Sequence, residues 1–213
     1  MIDLSLYLVT DRGLSQGRST VNVVRAAVRG GVTCVQLREK HCSAREFIAE
    51  ARAIKALLDS LETRIPLIIN DRIDLALAVG ADGVHLGQSD MPLADARRLA
   101  GKAMIIGVSA ESVEDAVRAE AEGADYLGVS PVFATPTKTD AAPPLGVDGV
   151  RRIRAAVGLP LVGIGGIDAG NAAAVIRAGA DGVAVVSAIV SAACPKSAAT
   201  DLKHQILTAK QQG

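Results

Sequence analysis

Four similar short segments recur along the chain, each at a change from a helical pattern to an apolar run. Three of them have the order Gly-Ala-Asp and begin at Gly80, Gly123 and Gly179, and Gly30-Gly31-Val32-Thr33 is a looser copy. Glycine is favoured just beyond a helix end because it adopts the left-handed conformation there. The segments therefore predict repeated helix-to-strand junctions. The aspartates at the strand beginnings are expected to be structural: Asp82, Asp125 and Asp181.

Eight short apolar runs fit this alternation of helices and strands. Most are continuously apolar, which is typical of parallel strands buried on both faces. They are residues 6–10, 34–38, 66–70, 83–87, 104–109, 126–130, 160–165 and 182–187. Between them lie Ala-, Arg- and Glu-rich segments with helical spacing, such as 43–61 and 112–123.

Eight strands that alternate with helices in 213 residues predict an α/β protein with a single TIM (β/α)₈ barrel as its catalytic domain, residues 1–213. The rival architecture is a doubly wound open sheet. It expects a Gly-x-Gly-x-x-Gly fingerprint after the first strand, and the segment YLVTDRGLSQG lacks one.

The composition of the chain argues against nucleic acids and membranes as binding partners. With 23 basic and 23 acidic residues the formal net charge is zero, so no nucleic acid or other polyanion is predicted as a partner. No apolar run approaches the length of about 18 residues that a membrane-spanning helix needs, and no signal peptide is visible. Three cysteines without a CxxC pair suit a reducing cytoplasm. The composition thus predicts a cytoplasmic protein, and it is compatible with a homo-oligomer.

Polar residues at the carboxyl ends of the strands are the candidates for function, because chemistry in a TIM barrel is placed there. On the second strand, Gln36, Arg38 and Lys40 share one side, while Leu37 and Glu39 share the other. An inward-facing Arg38 is costly to bury without a partner. Its burial is explained if the guanidinium binds a phosphate group or pairs with an internal carboxylate, and the sequence leaves both interpretations open.

Five further strand ends carry groups suited to phosphates or a metal. Asp71 and Asp90 follow neighbouring strands, where they predict a Mg²⁺ site, with helix capping as the alternative. Gly165-Gly166 and Ser187 follow the last two strands, where barrels often bind phosphate, with tight turns as the alternative. The segment Thr135-Pro136-Thr137-Lys138 offers two hydroxyls and a cation, with a solvated loop as the alternative.

No residue has the surroundings expected of a covalent nucleophile. His85 lies within the fourth strand and is interpreted as a hydrogen-bonded core residue. His41 lies near the rim without an evident partner, and His204 is placed on the surface of the last helix. The chemistry is therefore expected to depend on positioning and charge stabilisation.

Eight motifs in this order resemble the thiamine-phosphate synthase family: YLVTD, VQLREK, LIINDR, DGVHLGQSD, GVS, DYLGVSPVFATPTK, IGGI and GVAVVS. They extend from Tyr7 to about Ile189. The resemblance implies a TIM barrel that joins hydroxymethylpyrimidine diphosphate to a thiazole phosphate, with Mg²⁺, and releases diphosphate. The family commonly has Gly before the Pro-Val-Phe run. This chain has Ser130 there, which is expected to tighten the barrel mouth.

Carried over position by position, the resemblance implies a set of residues for each substrate and for the metal. The set for the pyrimidine diphosphate is Gln36, Leu37, Arg38, Glu39, Lys40, Asn70, Ser109 and Lys138. The set for the thiazole phosphate is Thr135, Pro136, Thr137, Gly166, Val186 and Ser187. Asp71 and Asp90 correspond to the Mg²⁺ ligands. The expected catalytic residues are Arg38, Lys40, Ser109 and Lys138.

Two other functions remain alternatives. One is a thiazole tautomerase-like isomerase, which would share the barrel and the phosphate loops but lack the groups for a diphosphate. The other is a non-catalytic binder of a phosphate ligand, which would not need two metal carboxylates. The QLREK run, the Asn70-Asp71 pair, Asp90 and Lys138 favour the synthase.

Overall fold

A closed parallel barrel forms the centre of the protein. The computed structural model describes residues 2–135 and 143–212. Within them, each strand pairs in parallel with the next along the chain, and the last strand pairs with the first. The strands are β1 (Leu6–Val9), β2 (Cys34–Leu37), β3 (Leu67–Asn70), β4 (Gly83–Leu86), β5 (Ile105–Ala110), β6 (Tyr126–Val129), β7 (Leu161–Ile164) and β8 (Gly182–Val185). The prediction of a TIM barrel is confirmed.

Helices surround the barrel and connect its strands. They are α1 (Thr20–Arg29), α2 (Ala44–Asp59), α3 (Ile73–Val79), α4 (Leu93–Ala100), α5 (Val113–Ala121), α6 (Gly146–Ala156), α7 (Ala172–Arg177), α8 (Ser187–Val190) and α9 (Pro195–Gln211). A short 3₁₀ helix, Arg12–Leu14, follows β1. Helix α5 begins where the sequence predicts, because the side chain of Ser112 accepts a hydrogen bond from the backbone N–H of Asp115.

The Gly-Ala-Asp aspartates tie the strands together at the amino-terminal end of the barrel. Each carboxylate accepts a hydrogen bond from a backbone N–H at or near the start of the preceding strand. The donors are Leu67 for Asp82 at 2.9 Å, Ile106 for Asp125 at 2.7 Å and Leu161 for Asp181 at 2.8 Å. In the looser copy, Oγ1 of Thr33 accepts from the N–H of Leu6 at 3.1 Å. The four segments therefore join β1 to β2, β3 to β4, β5 to β6 and β7 to β8, which is the structural role predicted for the aspartates.

The apolar core is divided by the barrel wall. Side chains on the outer face of the strands, such as Leu6 and Leu8, pack against the helices in the larger cluster. Side chains on the inner face, such as Tyr7 and Val9, form a smaller cluster inside the barrel. The two buried tyrosines, Tyr7 and Tyr126, therefore lie beneath the mouth of the barrel.

We expect Asp82→Ala to lower the free energy of unfolding by about 1–3 kcal/mol, because the backbone N–H of Leu67 loses its acceptor at a half-buried site. Urea denaturation measures the change. The control is Asp74→Ala, which removes an exposed carboxylate paired with Arg72 and should cost less than about 1 kcal/mol. Equal losses in the two variants would contradict a structural role specific to Asp82.

Candidate active site

The carboxyl ends of the strands surround a cavity of about 660 Å³, a size typical of small-molecule sites. The predicted site residues that line it are Gln36, Arg38, Lys40, Asn70, Asp71, Asp90, Ser109, Thr135, Gly166, Val186 and Ser187. Pro136, Thr137 and Lys138 lie outside the described residues. Ser130 also lines the cavity, at its predicted place beside the mouth.

The side chains of Leu37 and Glu39 point away from this cavity. Leu37 is fully buried in the cluster between the barrel and the helices. A carboxylate oxygen of Glu39 accepts a hydrogen bond from the backbone N–H of Arg12 at 2.9 Å. The alternation predicted for β2 is therefore present, and only the backbone groups of these two residues could reach a ligand in the cavity.

Arg38 lies between a carboxylate and the cavity. Its Nη1 donates to Oδ2 of Asp11 at 3.1 Å, and its backbone N–H donates to Oγ1 of Thr10 at 3.0 Å. The pair with a carboxylate, which the sequence left open, is thus formed. A guanidinium has five N–H donors, and the bond to Asp11 uses one of them. Because Arg38 also lines the cavity, the pair orients the guanidinium without excluding it from binding an anion.

Asp71 and Asp90 do not cap helices. Helix α3 has Arg72 at its N-cap position and α4 has Pro92, and neither helix has a side-chain cap. The N–H of Asp71 instead donates to the backbone oxygen of His85 at 2.8 Å, and this residue adopts a positive φ of 61°. Asp90 accepts a hydrogen bond from the N–H of Gly87 at 2.7 Å, which closes the turn after β4. The capping alternative therefore does not account for either aspartate.

The two aspartates interact with each other inside the cavity. Burial, followed by the hydrogen bond and the charge of Asp90, raises the pKa of Asp71 to about 6, and the charges of Lys40 and Arg38 oppose the rise. Two carboxylates this close repel when both are ionised, and a divalent cation between them would relieve the repulsion. The described residues contain no cluster of three or more His, Cys, Asp or Glu side chains that could hold a metal alone. A cation here would complete its coordination with water or phosphate oxygens, as Mg²⁺ commonly does.

The glycine turn after β7 is shaped by a neighbouring loop. Gly165 and Gly166 both have positive φ, 103° and 62°. A Cβ on Gly166 would lie 2.5 Å from the backbone oxygen of Ala134, so no other residue fits without a shift of the backbone. The side-chain amide of Asn171 donates to the backbone oxygen of Gly166 at 2.8 Å. The turn is tight, as the alternative stated, and it also forms part of the cavity wall.

A buried chain of hydrogen bonds, which we call the polar chain, crosses the floor of the cavity. Nε2 of Gln36 donates to Oη of Tyr7 at 2.9 Å, and Oη of Tyr7 lies 2.9 Å from Oη of Tyr126. Nδ1 of His85 lies 3.0 Å from Oη of Tyr126, and its Nε2 lies 3.0 Å from Oγ of Ser109. Burial lowers the pKa of His85 to about 4, so its imidazole is neutral at pH 7.

Sequence reasoning did not assign three members of the polar chain to the site. His85 is hydrogen-bonded, as expected, but it also lines the cavity together with Tyr7 and Tyr126. A signal was available, because each of these polar residues interrupts an otherwise apolar strand. Their meeting could not be read from the sequence, since Tyr7 and Tyr126 are 119 positions apart.

Comparisons with known proteins agree on one family. A family model described as thiamine monophosphate synthase matches residues 6–189. A thiamine-phosphate synthase of Albidiferax ferrireducens is 58% identical over 203 residues, covering 95% of this chain and 92% of the relative. One of Chloroflexus aurantiacus is 53% identical and covers 100% of this chain and 97% of the relative.

Solved structures extend the comparison. Thiamine phosphate pyrophosphorylase from Pyrococcus furiosus is 40% identical, with a TM-score of 0.90 and 97% coverage of both chains. A 3-hexulose-6-phosphate synthase is 18% identical, with a TM-score of 0.71 and coverage of 95% of this chain and 99% of the other. At that identity, the second likeness concerns the fold alone.

We expect Asp71→Asn to stabilise the metal-free protein at pH 7. A pKa of about 6, above the ordinary value of 3.8, means that the folded protein holds the proton more tightly than the unfolded chain. Stability therefore falls as the pH rises between those two values, and the ionised carboxylate is unfavourable above them. After allowance for solvent screening, the amide should gain about 1 kcal/mol in urea denaturation.

The same variant should lose its response to metal. Mg²⁺ is expected to raise the melting temperature of the wild type and to leave Asp71→Asn nearly unchanged. Asp74→Asn, on the exposed start of α3, serves as the control and should respond like the wild type. A less stable Asp71→Asn protein at pH 7, with an intact Mg²⁺ response, would refute this account of the acidic pair.

Proposed function

The chain belongs to the thiamine monophosphate synthase family, and we propose that it joins hydroxymethylpyrimidine diphosphate to a thiazole phosphate, giving thiamine monophosphate and diphosphate. Membership of this family makes it a transferase of thiamine biosynthesis. The observation that supports the proposed substrates is the meeting of Asp71 and Asp90 with Arg38 and Lys40 in one cavity. Such a combination suits a metal-bound diphosphate.

We propose Mg²⁺ as the cofactor, held by Asp71 and Asp90. The donor set fits this ion, because both side chains offer hard oxygen atoms and their mutual repulsion favours a cation between them. Mg²⁺, when bound, neutralises charge on a diphosphate leaving group. The chain's own contribution is to hold the two carboxylates together and to keep two cationic side chains next to them.

Arg38 and Lys40 are proposed to bind the diphosphate and to stabilise the negative charge that develops on it as the C–O bond breaks. Asp11 keeps the guanidinium of Arg38 oriented for this role. Lys138, beyond the described residues, is proposed to act on the same charge. Asn70 and the backbone of residues 37 and 39 are proposed as further contacts to this substrate.

The other side of the cavity is proposed to bind the thiazole phosphate. Backbone N–H groups in a glycine turn form concave sites that attract anions. Gly166 in that turn, Val186 and Ser187 after β8, and Thr135 after β6 all line the cavity. Pro136 and Thr137 are proposed to complete this site. The thiazole nitrogen would then lie within reach of the pyrimidine methylene carbon, and the gain in rate would come from positioning.

The remaining proposals concern the setting of the reaction. We propose one catalytic domain over residues 1–213, acting on small molecules and not on nucleic acid. Among the described residues, no helix combines the length and apolarity needed to cross a bilayer. The three cysteines are free thiols, which suits a reducing cytoplasm. A homo-oligomer is compatible with this arrangement.

Supplied with both substrates, the protein should release diphosphate only when Mg²⁺ is present, and Asp90→Asn should lower the rate by about 100-fold or more, since one ligand of the ion is lost. A coupled diphosphate assay measures the rate over a series of Mg²⁺ concentrations. Asp74→Asn, outside the cavity, should retain the wild-type rate. Unchanged release after chelation of all divalent metal would overturn the proposal.

Lys138→Ala is expected to lower turnover by about 100-fold, because the ammonium would act on charge that develops as the bond breaks. The KM for the thiazole phosphate should stay within about twofold of the wild type. Steady-state kinetics with each substrate varied in turn separates the two effects. A change confined to the KM for the thiazole phosphate would assign Lys138 to the other substrate.

A further inference from the structure

The polar chain contains a Ser–His contact of the kind that activates serine nucleophiles. In such enzymes, a histidine nitrogen accepts the serine proton, and a carboxylate holds the other nitrogen as a donor. Here Nε2 of His85 lies 3.0 Å from Oγ of Ser109, but Nδ1 lies 3.0 Å from the hydroxyl of Tyr126. Whether Ser109 is activated therefore depends on which atoms carry the protons.

The direction of the hydrogen bonds follows from the first member of the chain. An amide nitrogen can only donate, so Oη of Tyr7 accepts from Gln36. The single proton of Tyr7 then goes to Tyr126, and that of Tyr126 goes to Nδ1 of His85. A neutral imidazole has one N–H, which this order places on Nε2, facing the oxygen of Ser109.

We propose that the polar chain runs in one hydrogen-bond direction, from Gln36 to Ser109, and that this direction fixes the donor and the acceptor which the cavity floor presents to its ligand. The hydroxyl proton of Ser109 is left to donate to the ligand, and Oε1 of Gln36 is left to accept from it. His85 cannot take a proton from Ser109, so Ser109 is no nucleophile. Tyr7, Tyr126 and His85 are positioning residues.

The packing around the rings fixes their positions. A Cβ on Gly107 would lie 2.1 Å from the ring of Tyr126, and one on Gly128 would lie 3.0 Å from the ring of His85. These two glycines therefore leave the space that the rings fill. Cys34 is another neighbour of Tyr7. Its sulfur is a weak acceptor, so the hydroxyl of Tyr126 is the better partner for the Tyr7 proton.

The proposed direction selects a class of ligand. A ring bound against Gln36 and Ser109 must offer a donor to the amide oxygen and an acceptor to the hydroxyl. An aminopyrimidine meets both requirements, with its exocyclic amine and a ring nitrogen. This step rests on the proposed function, whereas the proton positions are a property of the protein alone.

Nitrogen NMR of the full chain labelled with ¹⁵N-histidine, without substrate at pH 7.5, tests the proton positions. The expected result is a neutral His85 with its proton on Nε2 and a hydrogen-bonded Nδ1. His85→Gln identifies its signals among those of the three histidines. A proton on Nδ1 in the wild type would overturn the proposal, because Ser109 would then donate to His85.

Two matched variants test the link in the middle of the chain. Tyr126→Phe removes the donor to Nδ1 of His85 and should move the Nδ1 resonance. Tyr7→Phe removes an equally buried hydroxyl one link away and should move that resonance less, because Tyr126 keeps its own contact with Nδ1. Equal effects, or none from Tyr126→Phe, would refute the direct link between Tyr126 and His85.

Steady-state kinetics test whether ligand binding depends on the direction of the polar chain. Tyr126→Phe should raise the KM for the pyrimidine diphosphate by about tenfold, since Ser109 is no longer held as a donor, and leave the KM for the thiazole phosphate within about twofold. If neither KM changes, the proposal that the polar chain fixes the donor and the acceptor offered to the ligand is refuted. A wild type that releases no diphosphate, yet has the proton on Nε2, would refute the proposed function and leave the proton order standing.

Discussion

Closure of the barrel, through the pairing of β8 with β1, is the constraint on which the site depends. Parallel strands in a closed sheet bring all their carboxyl ends to one rim. Residues that are far apart in the chain, such as Arg38 and Asp90, can therefore share a cavity. The Gly-Ala-Asp segments stabilise the opposite rim, where each aspartate accepts a hydrogen bond from a neighbouring strand. The stabilising hydrogen bonds and the proposed site thus lie at opposite ends of the same strands.

The acidic pair in the cavity is electrostatically unfavourable when both carboxylates are ionised. Burial and the neighbouring Asp90 together raise the pKa of Asp71, so the ionised pair is unfavourable. Arg38 and Lys40 oppose that rise only in part. A divalent cation with a diphosphate would satisfy all four charges together. Beneath these charges, the neutral polar chain offers hydrogen bonds without adding a further charge.

Much of the fold was predictable because its signals are local. Apolar runs, most of them continuous, indicated all eight strands, and the alternation in β2 placed Leu37 on the outer face. The site was less predictable where one residue type suits two roles. An aspartate after a strand is favoured both as a helix cap and as a metal ligand, and the structure was needed to show that Asp71 caps no helix. The partners of Arg38 and Tyr126 depend on register across the barrel, which no local pattern contains.

The most direct test of the account is a crystal structure of the protein with Mn²⁺ in place of Mg²⁺ and with diphosphate bound, with the ion located by its anomalous scattering. The account predicts one ion between the carboxylates of Asp71 and Asp90, a diphosphate oxygen bound to that ion, and the guanidinium of Arg38 hydrogen-bonded to the diphosphate. An ion elsewhere, or a diphosphate bound without contact to Arg38, would contradict it.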